Sequence, residues 1–213
     1  MIVYDFDGVI VPYQSWMKIF FFMAHKYQKN KIIPLYMDAF KLAFAGMIKY
    51  RLGFNDFKMD NRLCSVITKV DNQNELLEQF TKLLYEDIMK GWYPGQMTSE
   101  DVWISCSPEF YLRPLADMLG IKHVIGTKVD LHDGSILGTP TDNNPKRVQN
   151  IFCQGNEKLK RFREMFPKET IDKFYTDNPK HDKSLIAASN EAFLVTKYHV
   201  DDAAKISFKT IKR

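Results

Sequence analysis

The order of apolar and polar residues divides the chain into stretches of different character. The apolar run 2–4 is followed directly by Asp5-Phe6-Asp7-Gly8, which predicts a buried strand that ends in a turn. Between about Gln14 and Gly91, apolar residues recur at helical spacing, which predicts about four helices and almost no strand. The turn Tyr93-Pro94-Gly95 closes this helical stretch.

From Pro94 onward, short apolar strands alternate with amphipathic segments. Strands are predicted at 102–104, 123–125, 173–175 and 192–195, helices at 108–119, 156–166 and 182–188, and a hairpin at 128–137 around Asp133-Gly134. Such alternation is typical of a parallel sheet that is covered by helices on both faces. We therefore predict an α/β protein with a Rossmann-like parallel sheet core and an all-helical cap inserted after the first strand.

The predicted domain boundaries follow from the same pattern. Residues 1–13 and 92–213 are assigned to the α/β core domain, and residues 14–91 to the helical cap domain. A cap inserted after the first strand would lie over the carboxyl ends of the strands, where open α/β sheets bind their ligands.

The composition is that of an ordinary globular protein and narrows the choice of partners only slightly. Of the 213 residues, 45% are apolar and 26% charged, which is enough to build a real core. The 30 Lys+Arg and 26 Asp+Glu give a net charge of +4, a balance too even for a dedicated nucleic-acid binder. No nucleic-acid partner is therefore predicted, and the mild positive charge favours anionic substrates without identifying one.

Signals for other compartments are missing from the sequence. Cys64, Cys106 and Cys153 are odd in number and widely spaced, so they form neither a zinc pattern nor a disulfide framework. The first residues lack the basic region and apolar stretch of a signal peptide, and no uncharged stretch reaches the length of a membrane span, about 18 residues. These observations predict a cytoplasmic protein.

The first candidates for chemistry are the two carboxylates that follow the first strand. In an extended backbone, residues two apart point the same way, so Asp5 and Asp7 can face one site, where they repel unless a cation or a shared proton separates them. Gly8 then allows a sharp turn. A calcium loop does not fit, because glycine stands at the fourth position and Trp16 at the twelfth. The residues alone leave an ordinary Asp-rich turn open.

Further candidates follow at the ends of later predicted strands and helices. Ser105 ends the second strand where a helix begins, which is a natural anion site, although the residue alone favours an ordinary helix cap. Lys158 lies in the first turn of a helix, where a cation favours a nearby anion, and could also be a solvated surface lysine. Asp177 ends a strand and could hold a hard cation or form a simple turn.

Taken in order, Asp5-Phe6-Asp7-Gly8, Ser105, Lys158 and Asp177 to Asp182 resemble the motifs of the haloacid dehalogenase superfamily. The neighbouring residues are similar to the phosphoserine-phosphatase-like branch, subfamily IB, which carries a helical C1 cap. The segments that carry this likeness are 105–110, Gly126-Thr127, Asp133-Gly134 with Gly138, and 155–158. The resemblance covers essentially the whole chain, although the cap is similar only in being helical.

The resemblance implies a magnesium-dependent phosphomonoester hydrolase. Asp5 would attack phosphorus and form an aspartyl-phosphate, and Asp7 would protonate the leaving oxygen and later deprotonate water. Asp5, Asp177 and the main-chain carbonyl of Asp7 would hold Mg²⁺. The sequence leaves open phosphoryl transfer to an alcohol, as well as a non-catalytic protein that binds a phosphorylated ligand.

The same resemblance implies a phosphate-binding role for three further residues. Ser105 and the Cys106 amide would bind phosphoryl oxygens, and Lys158 would neutralise the charge that develops on them. Each position matches its motif in register.

The last motif departs from the family pattern. Its second carboxylate commonly stands four residues after the first, but His181 occupies that position here and Asp182 comes one later. Either the loop has an extra residue, or Asp182 acts only through water or through Lys158, with Asn178 beside it in an outer layer. His181 as a ligand is disfavoured, because Mg²⁺ prefers oxygen. The usual Gly-Thr after the second Asp is replaced by Gly8-Val9.

The cap gives only partial information on the substrate. No acidic residue stands between Asp7 and Asp38 to bind a serine amine, which argues against phosphoserine specificity even though Arg51 could bind a carboxylate. The aromatic and Met residues of the cap suit helix packing, an apolar channel for a lipid phosphate, or peripheral contact with a membrane. A small-molecule or lipid phosphate is therefore predicted, and the sequence leaves the oligomeric state open.

Overall fold

The computed structural model describes residues 1–27, 72–132, 152–196 and 204–205. Most of the predicted helical insertion, including Asp38 and Arg51, lies outside the described residues, as do Cys64 and most of the predicted hairpin over 128–137. The described residues comprise the sheet, the helices on its two faces and both ends of the insertion.

The described elements follow one another in a β/α order. The strands are β1 (Ile2–Asp5), β2 (Val102–Pro108), β3 (His123–Thr127), β4 (Ile171–Thr176), β5 (Ser189–Leu194) and β6 (Ala204–Lys205). The helices are α1 (Ser15–Tyr27), α2 (Gln73–Met89), α3 (Glu109–Leu119), α4 (Asn156–Met165) and α5 (Lys183–Ala188), with a short 3-10 helix at Tyr93–Gly95.

The strands form one sheet in the order β3-β2-β1-β4-β5-β6. The first five run parallel, and β6 pairs antiparallel with β5. Strand β1 lies at the centre, where Val3 pairs with Val102 on one side and with Phe174 on the other. The predicted α/β fold with a Rossmann-like parallel sheet is confirmed, and it brings the carboxyl ends of β1, β2 and β4 side by side.

Apolar side chains alternate between the two faces of the sheet and build a separate cluster on each. On one face Val3 and Phe174 pack with Phe162 of α4 and Leu185 of α5, all of them buried. On the other face Tyr4 and Trp103 belong to a cluster of aliphatic and aromatic side chains that includes residues of α2 and α3. Because β1 is buried on both faces, its apolar residues need no alternation with polar ones.

The boundaries of several elements differ from the predicted ones for a local reason. Strand β2 was predicted to end at residue 104, but it continues to Pro108 with an irregularity in its pairing with β3 after Ile104. The prediction followed only the apolar residues, and the polar segment 105–107 continues in extended form. Helix α3 accordingly begins at Glu109 with Pro108 as its N-cap, and α5 begins at Lys183 with Asp182 as its N-cap.

Both ends of the insertion are anchored on the core. Ile19 of α1 and Leu76 and Leu84 of α2 belong to the same apolar cluster as Tyr111 of α3. The two described ends of the segment between β1 and β2 are therefore helices that pack beside α3. Within the described part of the chain, no helix has both the length and the apolar character that crossing a membrane requires.

Candidate active site

The predicted site residues meet in one cleft at the carboxyl end of the sheet. The cleft has a volume of about 280 Å³. It is lined by all the side chains that the sequence singled out for chemistry, namely Asp5, Asp7, Ser105, Cys106, Lys158, Asp177, Asn178, His181 and Asp182. Among the described residues, Gln14, Trp16 and Gln154 also line it and were not predicted as site residues. The four motifs, distant in sequence, thus converge because parallel strands end at one edge of the sheet.

Lys158 lies between two carboxylates. Its Nζ is 2.9 Å from Asp5 Oδ2 and 2.9 Å from Asp182 Oδ1, and only 4% of the lysine is exposed. Helix α4 places Lys158 in its first turn, so the backbone directs the side chain toward the end of β1. A surface lysine, the alternative left open by the sequence, does not describe this buried side chain.

Asp182 contacts the site through Lys158. Its Oδ2 accepts a hydrogen bond of 2.7 Å from the Thr176 hydroxyl, which holds the carboxylate beside β4. Its Oδ1 lies within ion-pair distance of Lys158 but has no hydrogen bond of good geometry within the described residues. We take the ion pair as the meaningful contact, because the opposite charges are close and both groups are buried.

The residues of the last motif lie in the loop between β4 and α5. The Asn178 carbonyl accepts the amides of both His181 and Asp182, at 3.1 and 3.2 Å, so the chain makes a tight turn before α5. His181 Nδ1 lies 3.2 Å from Gln154 Nε2 at the rim of the cleft. The turn therefore brings Asp182 to Lys158 while His181 contacts a different side chain.

Negative charge is in excess in the cleft. Burial, only partly offset by Lys158, raises the pKa of Asp5 well above its usual range, and Asp182 and Asp177 raise it further. Burial and the charge of Asp182 raise the pKa of Asp177 from 3.8 to about 6. Burial alone would lower the pKa of Lys158, but Asp182 and Asp5 outweigh it and hold that pKa above its ordinary value. Among the described residues that line the cleft, Lys158 is the only lysine or arginine.

These residues fit a hard divalent cation. The donors are oxygen atoms, which Mg²⁺ prefers, and a cation would relieve the repulsion that raises the pKa values of Asp5 and Asp177. Within the described residues, no three His, Cys, Asp or Glu side chains form a metal site by themselves. The set implied by the sequence needs only the carboxylates of Asp5 and Asp177 and the main-chain carbonyl of Asp7.

Gly8 permits the close approach of the two loops that carry these carboxylates. Its φ is +77°, and a Cβ placed there would lie 2.2 Å from Asp177 Oδ2. A side chain at this position would thus be strained and would also displace the Asp177 carboxylate. The glycine fixes how near the loop after β1 comes to the loop after β4.

The irregular end of β2 presents the segment that was predicted to bind phosphate. Ser105 is buried, and its Oγ accepts the Ser107 amide at 3.0 Å. The Cys106 carbonyl accepts the Thr127 hydroxyl, which in turn accepts the Cys153 amide at 3.1 Å. Burial raises the pKa of the Cys106 thiol to about 12, so this side chain is a neutral thiol. These contacts fix the backbone from 105 to 107 at the cleft.

Asp7 is held by residues that the sequence did not identify as parts of the site. Its Oδ1 accepts the Ser15 amide at 2.8 Å and its Oδ2 accepts the Ser107 hydroxyl at 2.5 Å. The Ser15 hydroxyl lies 2.7 Å from the Tyr111 hydroxyl. Burial raises the pKa of Asp7, and the hydrogen bonds from Ser107 and Ser15 oppose that rise. The available signal was the position of Ser107, two residues after Ser105 in an extended segment.

Comparisons with known proteins agree with this architecture. The family described as haloacid dehalogenase-like hydrolase matches residues 2–185. The crystal structure of a protein with unknown function from Bordetella pertussis Tohama I is similar with a TM-score of 0.58 and 14% sequence identity, over 90% of this chain and 87% of that chain. At that identity the likeness shows the fold alone. No curated protein matches the chain.

Proposed function

Since the chain belongs to the haloacid dehalogenase-like hydrolase family, we propose that it is a magnesium-dependent phosphomonoester hydrolase with Asp5 as the nucleophile. The observation that carries the proposal is the buried Asp5 carboxylate, which ends the central strand 2.9 Å from Lys158 in a cleft shared with Asp7, Ser105 and Asp177. Lys158 and a bound Mg²⁺ would both favour the ionised form of Asp5, against the burial that raises its pKa, and the ionised carboxylate is the form that attacks an electrophilic phosphorus atom.

The reaction has two displacements. A carboxylate oxygen of Asp5 attacks phosphorus, the ester P–O bond breaks, and Asp7 gives its proton to the leaving oxygen. Asp7 then takes a proton from water, whose oxygen attacks the phosphorus of the aspartyl-phosphate. The bond between phosphorus and Asp5 breaks, inorganic phosphate leaves, and both carboxyl groups return to their starting state.

The surrounding groups stabilise the charge that develops during these steps. Lys158 and the hydroxyl of Ser105, together with the Cys106 amide, bind the phosphoryl oxygens. Mg²⁺ held by Asp5, Asp177 and the Asp7 carbonyl would supply positive charge that offsets the repulsion between Asp5 and the phosphate. Asp182 and Thr176 act on the phosphoryl group only indirectly: Asp182 pairs with Lys158, and Thr176 holds Asp182 by a hydrogen bond.

The proposal extends to the branch of the family and to the substrate class. We assign the chain to the phosphoserine-phosphatase-like branch with a helical C1 cap over residues 14–91, and α1 and α2 support it because they leave the core between β1 and β2. Beyond the reacting groups, the described wall of the cleft contains the uncharged side chains Gln14, Trp16 and Gln154. Such a wall suits a small-molecule or lipid phosphate better than a substrate that carries a second strong charge. Free thiols at Cys106 and Cys153 support a reducing, cytoplasmic setting.

Phosphate release from a broad panel of phosphomonoesters, with Mg²⁺ and with EDTA, tests the function. We expect release that requires Mg²⁺ and that disappears in Asp5→Asn. Asp117→Asn is the matched control, because it makes the same change at an exposed carboxylate of α3. Release that survives Asp5→Asn would show that the nucleophile is wrong. If added alcohol speeds release of the original leaving group, and the phosphoryl group appears on the added alcohol in place of inorganic phosphate, the protein is a phosphotransferase instead.

A further inference from the structure

Both carboxylate oxygens of Asp7 are occupied by donors that come from different parts of the chain. Oδ1 accepts the Ser15 amide at 2.8 Å, from the first residue of α1. Oδ2 accepts the Ser107 hydroxyl at 2.5 Å, from the irregular end of β2. Each carboxylate oxygen has two acceptor positions, so one on each remains for a substrate or a proton. The two donors therefore fix the plane of the carboxylate without blocking it.

The donors belong to a buried hydroxyl cluster made of Ser15, Ser107 and Tyr111. The Ser15 hydroxyl lies 2.7 Å from that of Tyr111 and 3.2 Å from that of Ser107. All three residues have an exposed fraction of 0%. These hydroxyls are therefore shielded from bulk water, and the partners that the structure gives them are one another and Asp7.

Each hydroxyl has one proton to donate, and this fixes the direction of the hydrogen bonds in the cluster. Ser107 donates its single proton to Asp7, so its contact with Ser15 is one in which Ser15 donates. Ser15 has then used its own proton and must accept from Tyr111. The hydrogen bonds thus run from Tyr111 through Ser15 and Ser107 to Asp7, and bonds arranged head to tail strengthen one another.

We propose that Ser107 and Tyr111 are positioning residues for the acid–base step, because their hydroxyl chain orients the Asp7 carboxylate toward the leaving oxygen. This inference rests on the proposed function. Tyr111 reaches Asp7 only through the two serines, whereas Ser107 touches Asp7 directly. Neither residue contacts Asp5 or Lys158 by a hydrogen bond, so the nucleophilic half of the site does not depend on them.

The leaving group distinguishes positioning of Asp7 from general structural support. A phenolate anion is a poor leaving group and needs a proton from Asp7 as the P–O bond breaks, whereas 2,4-dinitrophenolate departs without one. A badly oriented Asp7 should therefore slow the cleavage of phenyl phosphate and spare that of 2,4-dinitrophenyl phosphate. The value of kcat/KM reports this first displacement, since it excludes the later breakdown of the aspartyl-phosphate.

The experiment measures kcat/KM for both aryl phosphates with saturating Mg²⁺ in Tyr111→Phe, Ser107→Ala and Ser107→Thr, and in Asp7→Asn for reference. We expect Tyr111→Phe to lower the phenyl phosphate value about 10-fold and Ser107→Ala about 100-fold, with less than about 3-fold loss for the dinitrophenyl ester. Ser107→Thr keeps a hydroxyl and should recover most of the loss. Tyr111→Phe keeps the packing of the ring and provides the test even where Ser107→Ala fails to fold.

The outcomes separate the inference from the function on which it rests. Equal losses for the two esters in Tyr111→Phe, or no loss for either, would overturn the positioning role. A selective loss in Asp7→Asn alone would keep Asp7 as the acid and reject the hydroxyl chain. A wild-type protein that cleaves neither ester, or an Asp7→Asn variant that loses both equally, would instead contradict the proposed function.

Discussion

The two carboxylates at the end of β1 stand in different surroundings. Asp5 faces charged groups, with Lys158 at 2.9 Å and Asp182 beyond it. Asp7 is held by a main-chain amide and by the neutral hydroxyl of Ser107. A buried cation favours the ionised form of a carboxylate, as a nucleophile requires. A hydroxyl can donate to a carboxylate or accept from a carboxylic acid, as a residue that gains and loses a proton requires.

The two surroundings also come from opposite faces of the sheet. Lys158 and Asp182 are held by α4 and the start of α5, which pack with Phe174 in one apolar cluster. Tyr111 is held by α3, which packs with α1 and α2 in the other. Each core thus supports one half of the cleft. We therefore expect substitutions on the two sides to affect stability and catalytic rate in different ways.

The largest effect should come from Lys158→Met. Removal of the cation leaves Asp5 and Asp182 buried without compensation, which costs about 3–5 kcal/mol in the free energy of unfolding. Phosphate release should fall by about 100- to 1,000-fold, because the pKa of Asp5 rises further and the developing charge loses its partner. Urea unfolding and initial rates measure the two effects. Lys160→Met on the same helix is the control, and equal unfolding free energies in the two variants would contradict the ionic description.

The next effect should come from Gly8→Ala. The added Cβ would lie 2.2 Å from Asp177 Oδ2 on a backbone with φ +77°, so both strain and displacement of the carboxylate are expected. We expect a loss of about 1–3 kcal/mol in stability and a roughly 10-fold higher Mg²⁺ requirement in the assay.

Gly120→Ala separates these two causes of the Gly8→Ala effect. Gly120 has a similar φ of +72°, but nothing lies within 4 Å of the added Cβ. It should therefore reproduce the backbone strain alone and leave the Mg²⁺ requirement unchanged. A shift in that requirement for Gly120→Ala would mean that the assay does not report on Asp177.

A stabilising effect is expected from Asp177→Asn in EDTA. The pKa of Asp177 is raised from 3.8 to about 6, so the folded protein binds a proton that the unfolded chain releases. The cost of ionisation is absent below about pH 4, grows as pH rises to about 6, and is complete above it. At pH 8 the variant should be more stable than wild type by roughly 1–3 kcal/mol, with no difference near pH 3.5.

Urea unfolding at a series of pH values measures this stabilisation. Asp117→Asn, which neutralises an exposed carboxylate on α3, serves as the control. With Mg²⁺ added, wild type should gain stability and Asp177→Asn should gain little. An Asp177→Asn variant that is less stable than wild type in EDTA at pH 8 would show that the carboxylates do not repel as described.

The smallest effect should come from Thr176→Val, which removes one neutral hydroxyl on the Asp5 side. Asp182 Oδ2 loses a hydrogen bond of 2.7 Å, which costs about 1–2 kcal/mol. Because the change acts through Lys158, kcat/KM for phenyl and 2,4-dinitrophenyl phosphate should fall alike, by about 10-fold or less. Thr81→Val removes a buried hydroxyl in α2 and should leave both rates unchanged. A loss confined to phenyl phosphate in Thr176→Val would contradict the proposed difference between the surroundings of Asp5 and those of Asp7.

The sequence predicts the site residues that lie directly after the ends of strands. Asp5, Ser105 and Asp177 each follow an apolar run, and parallel strands bring such positions to one edge of the sheet whatever the details of packing. The place of Lys158 in the first turn of a helix left a surface lysine open, and the resemblance to the family motifs implied its phosphate-binding role. The α/β fold is confirmed for the same reason, since alternating strands and helices allow few other arrangements.

The support of Asp7 could not be predicted in this way. Ser15, Ser107 and Tyr111 belong to three elements, and their hydroxyls meet only when α1 and α3 have packed on the sheet. No period or spacing of the chain encodes that contact. The polar extension of β2 beyond residue 104 was missed as well, because its pairing with β3 and the hydrogen bond from the Thr127 hydroxyl to the Cys106 carbonyl replace the apolar signal of an ordinary strand.

The central place of β1 has a consequence for how the protein is made. Its hydrogen-bonding partners, β2 and β4, both follow it in the chain, and β4 comes only at Ile171–Thr176. As synthesis proceeds from the amino end, the apolar β1 must wait for β4 before its second edge is paired. An unpaired apolar strand edge invites aggregation, so a nascent chain halted before residue 171 should depend on chaperones. The strand that carries Asp5 is thus made before both of its partners, and its second edge is paired only after residues 171–176 have been made.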